Sequence, residues 1–281
     1  MERKTDKMDK IFNLIFVVCH PDDEAIWVGG LLSELSRFNF LKVYVICLSG
    51  GISERLQEFK KAQETAGYFQ SFISDEKLKP ANDPLIVISE TVEKGIRSFS
   101  LKFEDVDLLI THPPFGDEHG HPHHKQTYSE LYLWTRNNSI PFGYFSTAAV
   151  PFFDLRPTLQ NMKRSGTLHI LQVADCINNL SLLRKIFSKS LEPYHTPKYY
   201  LQFLSEKEKK IKMLQCYNSV DLEKFKKEYC SYTQNSESIY IIDKAGLVPF
   251  ETILATMETP GKKHLFPPQK SFFKKIFNLK S

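Results

Sequence analysis

Four apolar runs set the rhythm of the first half of the chain. Ile11 to Cys19 is almost wholly apolar and rich in β-branched and aromatic side chains, as expected of a strand covered on both faces. Ala25 to Leu35 follows with the spacing of a packed helix. Leu41 to Leu48 repeats the strand pattern, and Ser49-Gly50-Gly51 supplies a permissive loop. Ser53 suits the N-cap of a helix running from Glu54 to about Phe69. Pro84 to Ile88 reads as a third strand, Thr91 to Phe103 as a helix, and Val106 to Thr111 as a fourth strand that ends at His112-Pro113-Pro114. Pro122 fits the first turn of a further helix, continued by Lys125 to Trp134.

The second half is less regular. Phe142 to Val150 and Leu168 to Val173 read as strands, Leu180 to Leu191 as a helix, and Tyr194 to Tyr200 as an aromatic stretch broken by a proline. Lys207 to Tyr217 and Leu222 to Tyr229 have helical spacing, and Ile239 to Ile242 is a short late strand. The alternation of strand and helix predicts an α/β fold, a doubly wound, mostly parallel sheet with helices on both faces. No repeat, low-complexity segment or linker divides the chain, so residues 1–261 read as a single domain.

Composition changes this picture only at the C-terminus. The chain of 281 residues carries a net charge of +4, yet residues 262–281 hold six lysines and no acid, and the remainder holds 31 basic and 33 acidic residues. The body therefore offers nothing to nucleic acid. Within the tail, Phe272, Phe273, Ile276 and Phe277 alternate with Lys274, Lys275 and Lys280. That pattern is read as docking on its own domain or staying unfolded, with peripheral membrane contact as the alternative. The five scattered cysteines contain no CxxC pair and read as free thiols. Met1 to Lys10 lacks the apolar core of a signal peptide and no run reaches membrane-spanning length, so a cytoplasmic protein is expected. Nothing in the sequence sets an oligomeric state.

Chemistry concentrates in two loops. His20-Pro21-Asp22-Asp23-Glu24 sits at the C-terminal tip of the first strand, where open α/β sheets hold ligands. Three carboxylates crowded beside an imidazole oppose one another's ionisation, and a divalent cation is the natural occupant. The loop after the fourth strand holds four histidines in six residues, His119, His121, His123 and His124. In a parallel sheet both loops emerge at the same edge. His20, Asp23 and His124 then supply two imidazoles and a carboxylate, the open ligand set of catalytic zinc. Asp22 is the candidate general base and acid, and His121 the candidate stabiliser of an oxyanion. Glu24 reads as a buried carboxylate supporting the site. His112, His119 and His123 read as loop or supporting histidines, and any of them replaces His124 if the helix phase differs. Gly50-Gly51 reads as a turn.

These residues resemble the PIG-L/LmbE family of zinc-dependent N-acetyl sugar deacetylases, whose motifs are (A)HPDDE and HPDH. The resemblance spans residues 11–220 and is sparse between motifs. It implies a Rossmann-like fold and removal of acetyl from an N-acetylated amino sugar or its glycoconjugate, a metal-activated water attacking the amide. It implies Zn²⁺, or another divalent metal such as Fe²⁺, on His20, Asp23 and His124, with Asp22 as base and His121 on the oxyanion. Arg55 and Glu58, with Ala62 and Gly67, resemble the family's R-x-x-E…A…G helix, which implies a substrate contact for Arg55. Lys212 to Ser219 resembles its later K-x-x-x-x-(H/Y)-x-S stretch. The chain departs from the family at His123, where HPDH has Asp, and at His119, near the substrate, where relatives often carry Tyr or another polar residue. Loss of that Asp implies a lower proton affinity for His121.

Two other classes share some of these features. A catalytically weakened glycan-binding or regulatory protein on the same fold accommodates His123. A non-haem iron oxygenase uses two histidines and a carboxylate, but its H-x-D motif on a jelly roll differs from H-x-x-D in an alternating strand–helix chain.

Overall fold

The computed structural model describes residues 10–50, 53–77, 79–81, 83–85, 87–114, 116–117, 121–147, 199–204, 207–218, 220, 223, 236–251 and 264–265. In chain order these form β1 (Phe12–Val18), α1 (Asp23–Leu35), β2 (Leu41–Cys47), α2 (Ser53–Ala66), β3 (Gln70–Ile73), α3 (Ile88–Ser98), β4 (Leu108–Thr111), α4 (Pro122–Asn137), β5 (Phe142–Phe145), β6 (Tyr199–Leu204), α5 (Lys207–Leu214), β7 (Ser236–Ile241) and β8 (His264–Leu265). The strands make one sheet in the order β3-β2-β1-β4-β5-β7-β6-β8. The pairings from β3 to β5 are parallel, and those from β5 to β8 are antiparallel.

The period-2 alternation of β1 divides the core. Leu14, Phe16 and Val18 pack with α1, α2 and α5 on one face, while Ile15 and Val17 pack with α3 and α4 on the other. Both sets are fully buried, so each aliphatic side chain contributes roughly 1.5–3 kcal/mol by leaving water. This double burial is why the β1 sequence is continuously apolar, and it puts helices on both faces of a mostly parallel α/β sheet.

The chain runs β1-β2-β3 outward on one side, then crosses over to β4 and β5 on the other side of β1. Strand order therefore reverses between β1 and β4, which pair directly, Phe16 opposite Ile110. The loops after these two strands open into the crevice at that reversal.

Several assignments differ from the sequence reading: α3 is Ile88–Ser98, β5 ends at Phe145 and α5 at Leu214. The third strand is β3, Gln70–Ile73, and not Pro84 to Ile88. Leu85 has its backbone groups held by a side chain: its N–H donates to Gln126 Oε1 and its carbonyl accepts from Gln126 Nε2, both at 2.8 Å. The α2 helix ends at Ala66 because Gly67 turns left-handed at φ 80°, the usual way of stopping a helix. β6 begins inside the aromatic stretch at Tyr199, and within the tail His264–Leu265 pairs with its edge. The expected elements at 168–173, 180–191 and 222–229, His119 and the remainder of the tail lie outside the described residues. Among the described residues, no helix is long and apolar enough to cross a membrane.

Candidate metal centre

The first motif is a strained turn. Asp22 has φ 119° and ψ −25°, a conformation unfavourable for a residue with a Cβ. Its carbonyl accepts from Ile26 N–H at 2.8 Å, and its N–H donates to Glu24 Oε2 at 3.2 Å. Glu24 is wholly buried and accepts a short hydrogen bond from the Tyr217 hydroxyl. Burial is the main cause raising the Glu24 carboxyl to about 7, against the Tyr217 and backbone hydrogen bonds that lower it. From the loop after β2, Gly50 presses on the motif. At φ 111° it accepts no ordinary side chain, and a Cβ there would stand 2.3 Å from Pro21 Cγ.

Asp23 is the hub. Its Oδ1 accepts from the Trp27 indole N–H at 3.3 Å, and its Oδ2 accepts from the His20 N–H at 2.9 Å. Oδ2 also faces three imidazole nitrogens: His20 Nδ1 at 3.3 Å, His124 Nε2 at 3.2 Å and His112 Nε2 at 3.4 Å. The Asp23 carboxyl lies well below the ordinary range. Burial opposes its ionisation, but His124 and His112 outweigh that effect.

His20 Nδ1 and His124 Nε2 are themselves 3.4 Å apart. The three sequence-predicted ligands therefore present one donor atom each at the corners of a triangle with edges of 3.2–3.4 Å. Donors about 2.0–2.1 Å from a tetrahedral ion stand about 3.3–3.4 Å apart, so the triangle fits a divalent cation with one open position. Two groups of close donors that share no residue lie here, Cys19 with Asp23, His112 and His124, and His20 with His121 and His123.

The second motif comes from the start of α4. His121 is its N-cap, and its Nδ1 accepts from the His123 N–H at 3.3 Å. Asp117 holds both ends of this turn, accepting from the His121 N–H through Oδ1 at 3.1 Å and facing His124 Nδ1 through Oδ2 at 3.2 Å. A carboxylate behind one imidazole nitrogen orients the other toward a metal. Burial alone would lower the His124 imidazole, but Asp23 and Asp117 raise it to about 9. The site thus draws positive charge to the space between these carboxylates.

The remaining candidates take distinct places. Asp22 is pushed well above its ordinary value, first by burial and then by Asp23 and Glu24, while Arg55 and His124 pull it down. Arg55 Nη1 lies 3.7 Å from both Asp22 Oδ2 and Glu58 Oε2, and 3.4 Å from the Pro21 carbonyl. Glu58 Oε1 accepts from the Asn218 N–H at 2.9 Å, so α2 and the segment after α5 meet beside the base. His121 is lowered to about 4, by burial first and then by His124 and His20. His123 is buried and also lowered, chiefly by burial. Its Nδ1 lies 3.1 Å from His20 Nε2 and its Nε2 2.7 Å from the Asp83 carbonyl.

His112 is fully buried and stacks on His124 at 3.8 Å with an interplanar angle of 12°. Its Nε2 accepts from the Cys19 N–H at 3.2 Å. Burial, before the nearby His124 charge, lowers it to about 4, so it stays neutral beside Asp23. Cys19 remains a protonated thiol, raised by burial and by Asp23, with Sγ 2.9 Å from Thr127 Oγ1. Asp117 and Tyr217 are contributors that the sequence reading gave no role. The faint signals were an acid four residues before His121, and the Tyr of a late motif whose partner lies 193 positions away.

Two curated proteins each match somewhat less than half of the chain. One is the 1D-myo-inositol 2-acetamido-2-deoxy-alpha-D-glucopyranoside deacetylase of Corynebacterium diphtheriae, 28% identical over 160 residues, 46% of this chain and 54% of that protein. The other is the probable N-acetylglucosaminyl-phosphatidylinositol de-N-acetylase of Schizosaccharomyces pombe, 24% identical over 127 residues, 41% of this chain and 49% of that protein. The chain is PIG-L/LmbE-like. The PIG-L/LmbE-like match spans about half the length of these curated relatives, and no family model matches the chain. Among solved structures, the zinc-inhibited form of teicoplanin deacetylase Orf2 aligns over 82% of this chain and 97% of its own, at 13% identity and a TM-score of 0.46.

Proposed function

We propose that the protein is a zinc-dependent hydrolase that removes the N-acetyl group from an N-acetylated amino sugar or its glycoconjugate. The donor triangle of His20, Asp23 and His124 carries this reading. Two imidazoles and one carboxylate form the ligand set that leaves zinc an open position, and the two curated relatives are named as deacetylases of N-acetylated glucosamine conjugates. The bound cation would supply an activated water and polarise the amide carbonyl.

The protein's own residues do the rest. Asp22 stands on the neighbouring position of the strained turn, free of the triangle, and takes the proton of the attacking water. Its depressed acidity makes it a stronger base than an exposed carboxylate, and lets it return the proton to the departing amine. His121 works as a neutral donor. Its Nδ1 is occupied by the His123 N–H, so the ring proton sits on Nε2, available to the oxygen that gains charge as the carbonyl is attacked. Arg55, 3.7 Å from Asp22 Oδ2, balances the charge of Asp22 and meets hydroxyls of the sugar.

The test is acetate release from N-acetylglucosaminides by the zinc-loaded protein, alongside Asp22→Asn. Release that depends on Asp22, with zinc retained by the variant, supports the reading. Release unaffected by that change contradicts the role of Asp22.

A further inference from the structure

We infer that His123 is a positioning residue that fixes His20 in the tautomer able to bind a cation. The third position of the second motif then serves a ligand ring of the first motif. This rests on His20 being a ligand, as proposed above.

The Asp83 carbonyl decides the protons. A carbonyl oxygen only accepts, and it lies 2.7 Å from His123 Nε2, so that nitrogen carries the hydrogen. In the neutral ring Nδ1 is then bare. It lies 3.1 Å from His20 Nε2, so His20 donates, and its own proton is held on Nε2. His20 Nδ1, the atom 3.3 Å from Asp23 Oδ2 and 3.4 Å from His124 Nε2, is left with its lone pair facing the triangle. Without this relay, Asp23 would favour a proton on Nδ1, because a carboxylate beside an imidazole attracts the N–H. That proton would block the donor. The relay is the imidazole counterpart of the carboxylate that Asp117 sets behind His124.

The loop that supplies the carbonyl is tied to the helix that supplies the ring. Asp83 N–H donates to the Pro80 carbonyl at 2.9 Å. Two residues on, Leu85 is clamped at both backbone groups by Gln126 of α4, one turn beyond His123. The relay is thus built into α4 and the 79–85 loop together, and His123 is 1% exposed.

The experiment compares wild type with His123→Phe, which keeps ring volume without nitrogen, and His123→Asn, whose Oδ1 accepts near the place of Nδ1. Zinc affinity is read by chelator competition. The His20 tautomer is read by long-range ¹H–¹⁵N NMR of the metal-free, histidine-labelled full chain. The expected results are His20 protonated on Nε2 in wild type, roughly 10–100-fold weaker zinc binding in His123→Phe, and recovery to within a few-fold in His123→Asn. His20 protonated on Nδ1 in the wild type overturns the inference, whatever the variants' stability. So does wild-type zinc affinity in His123→Phe with an unchanged His20 spectrum. A wild type that binds zinc through His20 but deacetylates nothing removes the proposed function and leaves this inference standing.

Discussion

His20 Nδ1 and His124 Nε2 meet at 3.4 Å although 104 positions separate their residues. One ring follows β1 and the other stands in the first turn of α4, so the contact exists only because β1 and β4 are neighbours at the reversal of strand order. Both nitrogens converge on one carboxylate oxygen of Asp23.

Zinc should therefore raise the thermal stability of the protein. A ligand that binds only the folded state adds about 2.7 kcal/mol at one hundred times its dissociation constant. His124→Ala and Asp23→Asn are expected to lose this response. Thermal unfolding with and without zinc, after chelation and dialysis, measures it. An equal rise in the Asp23→Asn protein would place the ion elsewhere.

Glu24 predicts a pH dependence for the metal-free protein. Burial raises its carboxyl to about 7 in the folded state, against about 4.5 for an ordinary glutamate. Between these values the unfolded chain has released a proton that the folded protein still holds, so folding stability falls as pH rises through this window. The rise corresponds to roughly 3 kcal/mol as an upper value. Glu24→Gln keeps an acceptor for Tyr217 and removes the titration. Urea unfolding at pH 5 and pH 8 is expected to show a smaller loss in the variant than in wild type. Equal losses would contradict the assignment.

Gly50→Ala tests the seat of the first motif. The new Cβ combines a φ of 111° with a 2.3 Å approach to Pro21 Cγ, so Pro21 or the loop must move. A loss of about 1–3 kcal/mol in unfolding free energy is expected, together with weaker zinc binding. Full stability with unchanged zinc affinity would show that Gly50 has room to spare.

Much of this was legible in the residues themselves. β1, β2 and β4 are buried on both faces, and that burial writes an apolar run that needs no partner to be seen. The two motifs were legible because their loops follow strands that a parallel sheet brings to one edge. β3 was not legible, since the four residues Gln70–Ile73 lie only partly buried beside β2 and carry no apolar run. Pro84 to Ile88 imitated a strand because Leu85 is buried, but its backbone bonds go to Gln126. The supports of the site were the hardest to see. Tyr217 reaches Glu24 across the packing of α5 on α1, and the Asp83 partner of His123 is a backbone carbonyl, which no residue type announces.

Asp22→Asn separates chemistry from binding. Its side chain stands outside the donor triangle, so zinc affinity should stay within a few-fold of wild type. Turnover should fall by roughly 10²–10⁴, the usual range for a lost general base. A parallel loss of zinc would make Asp22 part of the ligand set.

The most direct measurement couples metal analysis to acetate release across a panel of N-acetylated amino sugars and their glycosides. One zinc per chain is expected, with release on at least one substrate that chelation abolishes and stoichiometric zinc restores. The same release from the His124→Ala protein stripped of metal, or none from the fully loaded wild type on any member of the panel, would contradict the account.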